Sequence, residues 1–359
     1  APRMALIAFV SILFGGSAGP EAPLVQVIGS LGSALGDRLR LSNDEVRILT
    51  LSGMAAALGA FFGAPLAGAV FALELPHQRG LEFFEALMPA VLSASVAFVV
   101  FDAFVPVSHP LLHFGSDLSI AYGSAVPFAI LLGALGAAIG ACFQIAFDGL
   151  GSVTRRFDER PVLLATCGGA LLGAIALLTP RATGMTTLFW GEPQLVHFST
   201  QLASGNVTNL GRVALPWLAL AALELLSISI TLRSGFRGGF IFPLLFVGAL
   251  VGAAAHALSG GRIPLPVAVM CTMVAVNVAV TKTPLGTAIL LGTLSGTALL
   301  PLILVASLTS FFLAGPVRVI RSQRSRTEPD HVERTEPRRH TASTALLAEQ
   351  AARAGLPPT

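Results

Sequence analysis

An all-α membrane protein that crosses the bilayer several times on broken helices is the fold this sequence predicts, on three observations. The first is composition. Of 359 residues, 54% are hydrophobic and 11% charged, and mean hydropathy is +0.78. Soluble domains average about 25% charged residues. The second is the recurrence of apolar stretches of about 20 residues, the length a bilayer core demands. The third is a pair of Gly/Pro interruptions that comes twice. Pro23 and Pro65 stand 42 residues apart, and Pro243 and Pro284 stand 41 apart, each in a Gly-rich context followed by an apolar run. Two such pairs at matched spacing indicate a structural repeat.

Taken in order, apolar segments fall near 4–14, 18–36, 48–75, 86–107, 123–149, 161–179, 211–232, 238–258, 263–281 and 285–314. Some are long enough for two helices, others too short for one crossing. Residues 1–180 read as a first membrane half and 213–315 as a second. The first opens at Ala1 directly on an apolar segment, which suggests it is N-terminally incomplete. Residues 181–212 are too polar to span and read as a connecting segment. Residues 316–359 carry an Arg surplus beside the last span and no apolar periodicity until near their end. They read as a disordered cytoplasmic tail rather than a nucleic-acid arm, because acids are interspersed. Cys142, Cys167 and Cys271 stand singly in apolar segments as inert thiols. No histidine has metal-ligand spacing, so neither a metal nor a cofactor is expected.

The breaks carry the chemistry. Irregular backbone at membrane depth is tolerated where it lines a cavity or is buried in protein. The first N–H groups of a helix lack intrahelical partners and carry partial positive charge, so aimed at a cavity they hold an anion. Gly lets the backbone approach closely, and Pro fits the first turn because its missing N–H is not needed there. "GPEAP" (Gly19–Pro23) and "GGFIFP" (Gly238–Pro243) both have this form. Without a pore Lys or Arg, the anion is held yet released. Glu21 lies inside the first break. As a carboxylate it competes for the anion's place, and protonated it vacates it. An ionisable group at membrane depth is functional by default; the bland reading is an acid that complements the helix dipole.

These motifs resemble those of the CLC chloride channels and proton-coupled antiporters. "GGSAGPEAPLVQVIGSLG" is similar to the family's GREGP segment, "AFFGAPLAGAVFALE" to its NAPLAG helix, "SGFRGGFIFP" to its GxFxP anion motif, and "TPLGTAILL" to its APLTG segment. The four come in order across residues 12–315, nearest in form to the bacterial ion-transport branch. The resemblance implies an inverted-repeat helical bundle with helices broken at the midplane. It also implies a homodimer, a chloride or similar anion as transported ligand, and residence in the cell's inner (plasma) membrane. By motif position Glu21 is the gate and proton acceptor. Gly19, Glu21 and Ala22 are the outer anion site and the amides of Phe240 and Ile241 the central one, with Gly239 a further anion-binding residue. Pro20 stands where the family has Arg or Lys, Ile241 where it has Phe, and Leu75 where the antiporters have an inner glutamate. The family's pore tyrosine falls near Ile320, and its first Ser-containing loop precedes Ala1.

Glu74 has two readings, an inner vestibule acid or a cap between helices. Arg233 and Arg237 flank the second break and read as steering charges, or as snorkelling side chains. Glu224 and Lys282 are apolar-segment ions that can pair only if the fold brings them together. "GALGAAIGAC" (Gly133–Cys142) reads as a close-packing face. The expected function is anion transport, as a passive channel or a weakly proton-coupled exchanger. A non-conducting relative or a fragment is the alternative. An enzyme is not expected, since Glu21 has no acid, base or zinc motif near it in sequence.

Overall fold

The computed structural model describes residues 2–77, 84–105, 122–157, 159–183, 187, 198, 210–295, 297–320 and 323. Its helices are α1 (Pro2–Leu13), α2 (Glu21–Leu39), α3 (Asn43–Phe62), α4 (Pro65–Glu74), α5 (Leu87–Phe104), α6 (Tyr122–Thr154), α7 (Pro161–Thr183), α8 (Leu210–Arg233), α9 (Ile241–Leu258), α10 (Leu265–Thr281), α11 (Pro284–Ser295) and α12 (Leu300–Leu313). Among the described residues, six stretches are long and apolar enough to cross a membrane: α3, α5 with its preceding turn, α6, α7, α8 and α9.

Local chemistry sets the boundaries. The 48–75 segment is two helices, because Gly63 takes the left-handed region (φ 61°) and Pro65 opens the next helix. α3 starts at Asn43, five residues before its apolar run, because Ser42 and Glu45 form a capping box. The 285–314 segment also divides, into α11 and α12. The repeat is visible as α2–α3–α4 and α9–α10–α11, each opening at a Gly/Pro break and each ending in a short helix that starts with Pro. α4 and α11 lie against each other, and the starts of α2 and α9 meet. The molecule is an inverted-repeat helical bundle with broken helices.

Burial ranks the helices. α9 is 83% buried and α10 is buried from Val267 to Thr281, whereas α5 and α7 are 17% buried. The latter present Leu92, Val96, Val99, Leu163 and Leu177 outward, as lipid requires. The small-residue face of α6 packs closely, as expected from its sequence. A Cβ at Gly136 would overlap Ala275 and one at Gly140 would meet Ala279, both on α10.

Packing continues past residue 315. Val317 and Val319 are buried, and Gln323 Nε2 donates to Leu75 O (3.0 Å) and Thr281 O (2.6 Å). Past the boundary expected from composition, two valines are thus buried in the core and the Gln323 amide is bonded to the end of α4 at Leu75 and to α10 at Thr281. The remaining tail and most of the polar connecting segment lie outside the described residues. Within that segment Thr187 and Phe198 are buried, and Phe198 meets Trp217 edge-on at 5.5 Å.

Two ionic readings are settled by contacts. Glu224 and Lys282 do not pair: Glu224 accepts from Ser17 Oγ, and Lys282 Nζ donates to Ala279 O and Ala314 O. Arg233 is not a free steering charge. It lies over the Phe147 ring, donates to Phe147 O and pairs with Asp148 at 3.1 Å, tying α8 to α6. Arg237 is exposed.

Candidate functional site

The two breaks are bonded to each other. Gly19 N donates to Gly239 O (2.7 Å) and Gly239 N to Gly19 O (2.6 Å), a single antiparallel bridge between segments 220 residues apart. The first break, Phe14–Pro20, is also held by Ser17 N on Thr231 Oγ1 (3.1 Å), and the second by Arg237 N on Ser11 Oγ (2.9 Å). A Cβ on either Gly19 or Gly239 would overlap the Glu21 carboxylate. The bridge lies directly under the acid, and a side chain at either position would have to displace the carboxylate.

Glu21 is the first residue of α2 and 1% exposed. Its Oε1 accepts from Phe242 N at 3.2 Å, in the first turn of α9. The carboxylate of one half thus sits on the helix start of the other, where partial positive charge favours it. The resemblance pointed to the amides of Phe240 and Ile241, whereas the amide that meets Glu21 is Phe242's, and Gly239 N is spent on the bridge. Position explains this. Pro243 follows Phe242 and has no N–H, so Ile241 and Phe242 supply the donors of that turn. Among the described residues, the amides of Ala22, Phe240 and Ile241 make no hydrogen bond.

Those amides border a cavity of about 440 Å³. Glu21, Ala22, Gly239, Phe240 and Ile241 line it, while Gly19 stays behind the wall in the bridge. Val25, Met54, Leu58, Leu75, Pro76 and Ile320 make the wall largely apolar, with Gln26 and Thr281 as its other polar members. Leu75 and Ile320 therefore stand at the cavity, as their motif positions suggested.

Sequence reading missed the support behind this wall. Asn277 Nδ2 donates to Ile241 O (3.1 Å), and its Oδ1 accepts from Thr281 Oγ1 (3.0 Å) and Thr287 Oγ1 (3.4 Å). Thr283 Oγ1 joins Thr281 (2.7 Å) and Thr287 (2.8 Å), and all four side chains are fully buried. The network ties the start of α9 to α10 and α11. The signal was present as Asn277, Thr281, Thr283 and Thr287, which with Lys282 make five polar residues among the eleven positions 277–287.

Glu74 is 1% exposed and bonds elsewhere. Its Oε1 accepts from Leu285 N (3.0 Å) and Oε2 from Gly286 N (2.7 Å), so it caps α11 from the end of α4. The cavity wall at this level is Leu75 and Pro76, and the vestibule reading of Glu74 finds no geometry here. No group of three or more metal-ligating side chains occurs among the described residues.

A family model described as "Voltage gated chloride channel" matches residues 1–315. The chain belongs to the voltage-gated chloride channel family. Within it, a chloride/fluoride channel protein of Pseudomonas syringae pv. tomato is 29% identical over 328 residues, covering 90% of this chain and 68% of that protein. Relatives from Salmonella named for ion transport are matched over 64% of their length, so the chain spans about two thirds of these curated relatives. The crystal structure of a CLC-type fluoride/proton antiporter superposes with a TM-score of 0.74 at 23% identity, over 90% of this chain and 77% of that one. A slow cyanobacterial chloride/proton antiporter gives 0.68 at 24%, over 86% and 70%. These two likenesses establish the CLC fold for this chloride-channel family member.

Proposed function

We propose that this protein carries a small inorganic anion, chloride or fluoride, across the membrane through the cavity between α2 and α9. The observation behind this reading is the Glu21 carboxylate on the Phe242 amide, beside three cavity-lining amides that have no acceptor among the described residues. An anion in the cavity competes with Glu21 for these donors. Protonating Glu21 removes the competitor's charge and frees the place. A hydrogen bond to a charged group contributes about 1.5–3 kcal/mol, so Glu21→Gln should raise efflux at neutral pH about tenfold and remove most of its acceleration by acid. Chloride and fluoride efflux from proteoliposomes measures this. Efflux no greater than from empty vesicles, unchanged in the variant, would sink the reading.

The relatives named above include both a channel and proton-coupled antiporters. For this chain we favour a passive or weakly coupled route, since apolar Leu75 and Ile320 stand on the wall where a proton relay would need polar groups. The proposed setting is a homodimer in the cell's inner membrane, with lipid against α5 and α7.

A further inference from the structure

The loop that carries Glu21 rests on a second buried acid. Ser17 Oγ donates to Glu224 Oε1 at 2.6 Å, and Ser17 N donates to Thr231 Oγ1, two turns further along α8. Glu224 is 1% exposed and Ser17, Ser227 and Thr231 are fully buried. Among the described residues, Glu224 Oε2 and Ser227 Oγ have no hydrogen-bond partner. They stand three residues apart on α8, which puts them on one face. No ion pair reaches Glu224 among the described side chains. The titratable groups on surrounding elements are engaged or face outward: Asp148 of α6 with Arg233, Tyr122 of α6 with Ala298 O, His256 of α9 with Ile263 O, and Cys142 and Cys167 exposed. Glu21, four residues beyond Ser17, is the other acid.

A buried carboxylate with one hydrogen bond and no cation is expensive away from water. A bound proton removes that cost and gives Oε2 a hydrogen to donate. We propose that Glu224, bonded to Ser17, is a second proton-binding site, separate from Glu21, whose charge sets how firmly the Glu21 loop is held. The proton comes from water and returns to it; no other bond changes. Ionised Glu224 grips Ser17 through a charge-assisted bond, roughly twice as strong as a neutral one. Protonated Glu224 holds it more weakly and lets the loop move. The effect on the gate rests on the transport reading above; the proton site itself does not.

Two measurements on the full chain in liposomes separate these. In infrared difference spectra on a pH step, the wild type and Glu21→Gln should both show the C=O stretch of a protonated carboxyl group that Glu224→Gln lacks. Gln keeps the shape and the acceptor for Ser17. If Glu224→Gln does not fold, Ser17→Ala, which removes the donor to Glu224, should raise the pH at which that band appears. Spectra identical in wild type and Glu224→Gln, or a band unmoved by Ser17→Ala where that variant must serve, overturn the site. In efflux assays, Glu224→Gln should lose roughly a five- to tenfold acid acceleration that wild type shows. Wild-type efflux with an unaltered pH profile in Glu224→Gln overturns its link to the gate. No wild-type efflux with the infrared band present overturns the transport reading and leaves the proton site standing.

Discussion

At Glu74 the residue scale separates two roles that look alike in sequence. Both its oxygens are taken by amides of the first turn of α11, at 3.0 and 2.7 Å. That is a capping arrangement supplied from another helix, and losing a cap costs typically about 1 kcal/mol. In Glu74→Gln one oxygen still accepts, but the NH₂ faces a donor. The expected outcome is a melting temperature lower by about 2–4 °C, with anion efflux within about twofold of wild type. A thermal melt and an efflux trace on the same preparation check this. Unchanged melting with altered efflux would return Glu74 to the transport path. Glu21 contrasts with it: it also meets a first-turn amide, but it borders open volume, where an anion can replace it.

Among the elements, α9 matters most, and its start is fixed from outside. Ile241 O accepts from Asn277 Nδ2, and the Asn277 oxygen is claimed in turn by Thr281 and Thr287. Asn277→Ala removes three buried hydrogen bonds, although Thr281 and Thr287 keep Thr283 as a partner, and each lost bond costs about 0.5–1.5 kcal/mol. The variant should melt well below wild type and lose at least about half of its efflux, because the amides of Phe240 and Ile241 no longer hold their aim. Asn277→Asp keeps the acceptor and loses only the donor, so it should fall between the two. Wild-type efflux in both variants would show that the α9 start holds itself. This network also marks the limit of sequence reading. The breaks, the Glu21 position and the matched Pro spacings were legible because each is a local pattern. The Gly19–Gly239 bridge, the Phe242 amide under Glu21 and the Ser17–Glu224 bond join residues more than 200 apart, and no local periodicity encodes such pairings. Where the capping box at Ser42 competed with the apolar run for the start of α3, the cap won, and hydropathy alone put that start too late.

Across the whole molecule, the question is whether anion movement drives protons. Coupled exchange needs a proton path from Glu21 to the far side of the cavity. The cavity lining includes Met54, Leu58, Leu75, Pro76 and Ile320, none of which binds a proton at ordinary pH. Thr281 is the nearby hydroxyl, but it is bonded inward to Asn277 and Thr283 rather than to a titratable group. Glu74 faces α11 and Glu224 lies behind the loop, outside the cavity lining. On the proposed reading, a proton that reaches Glu21 returns the way it came. An outward chloride or fluoride gradient imposed on proteoliposomes should drive anion efflux without uphill proton movement, as read by a pH dye inside the vesicles. Leu75→Glu puts an acid at the cavity wall and should produce measurable proton movement where wild type has none. Its expected size is small, because a buried acid there lacks the hydrogen-bonded neighbours that would carry a proton onward. Robust uphill proton transport by the wild type would mean that water bridges the apolar wall, and that the cavity alone, without an acid at position 75, suffices for coupling.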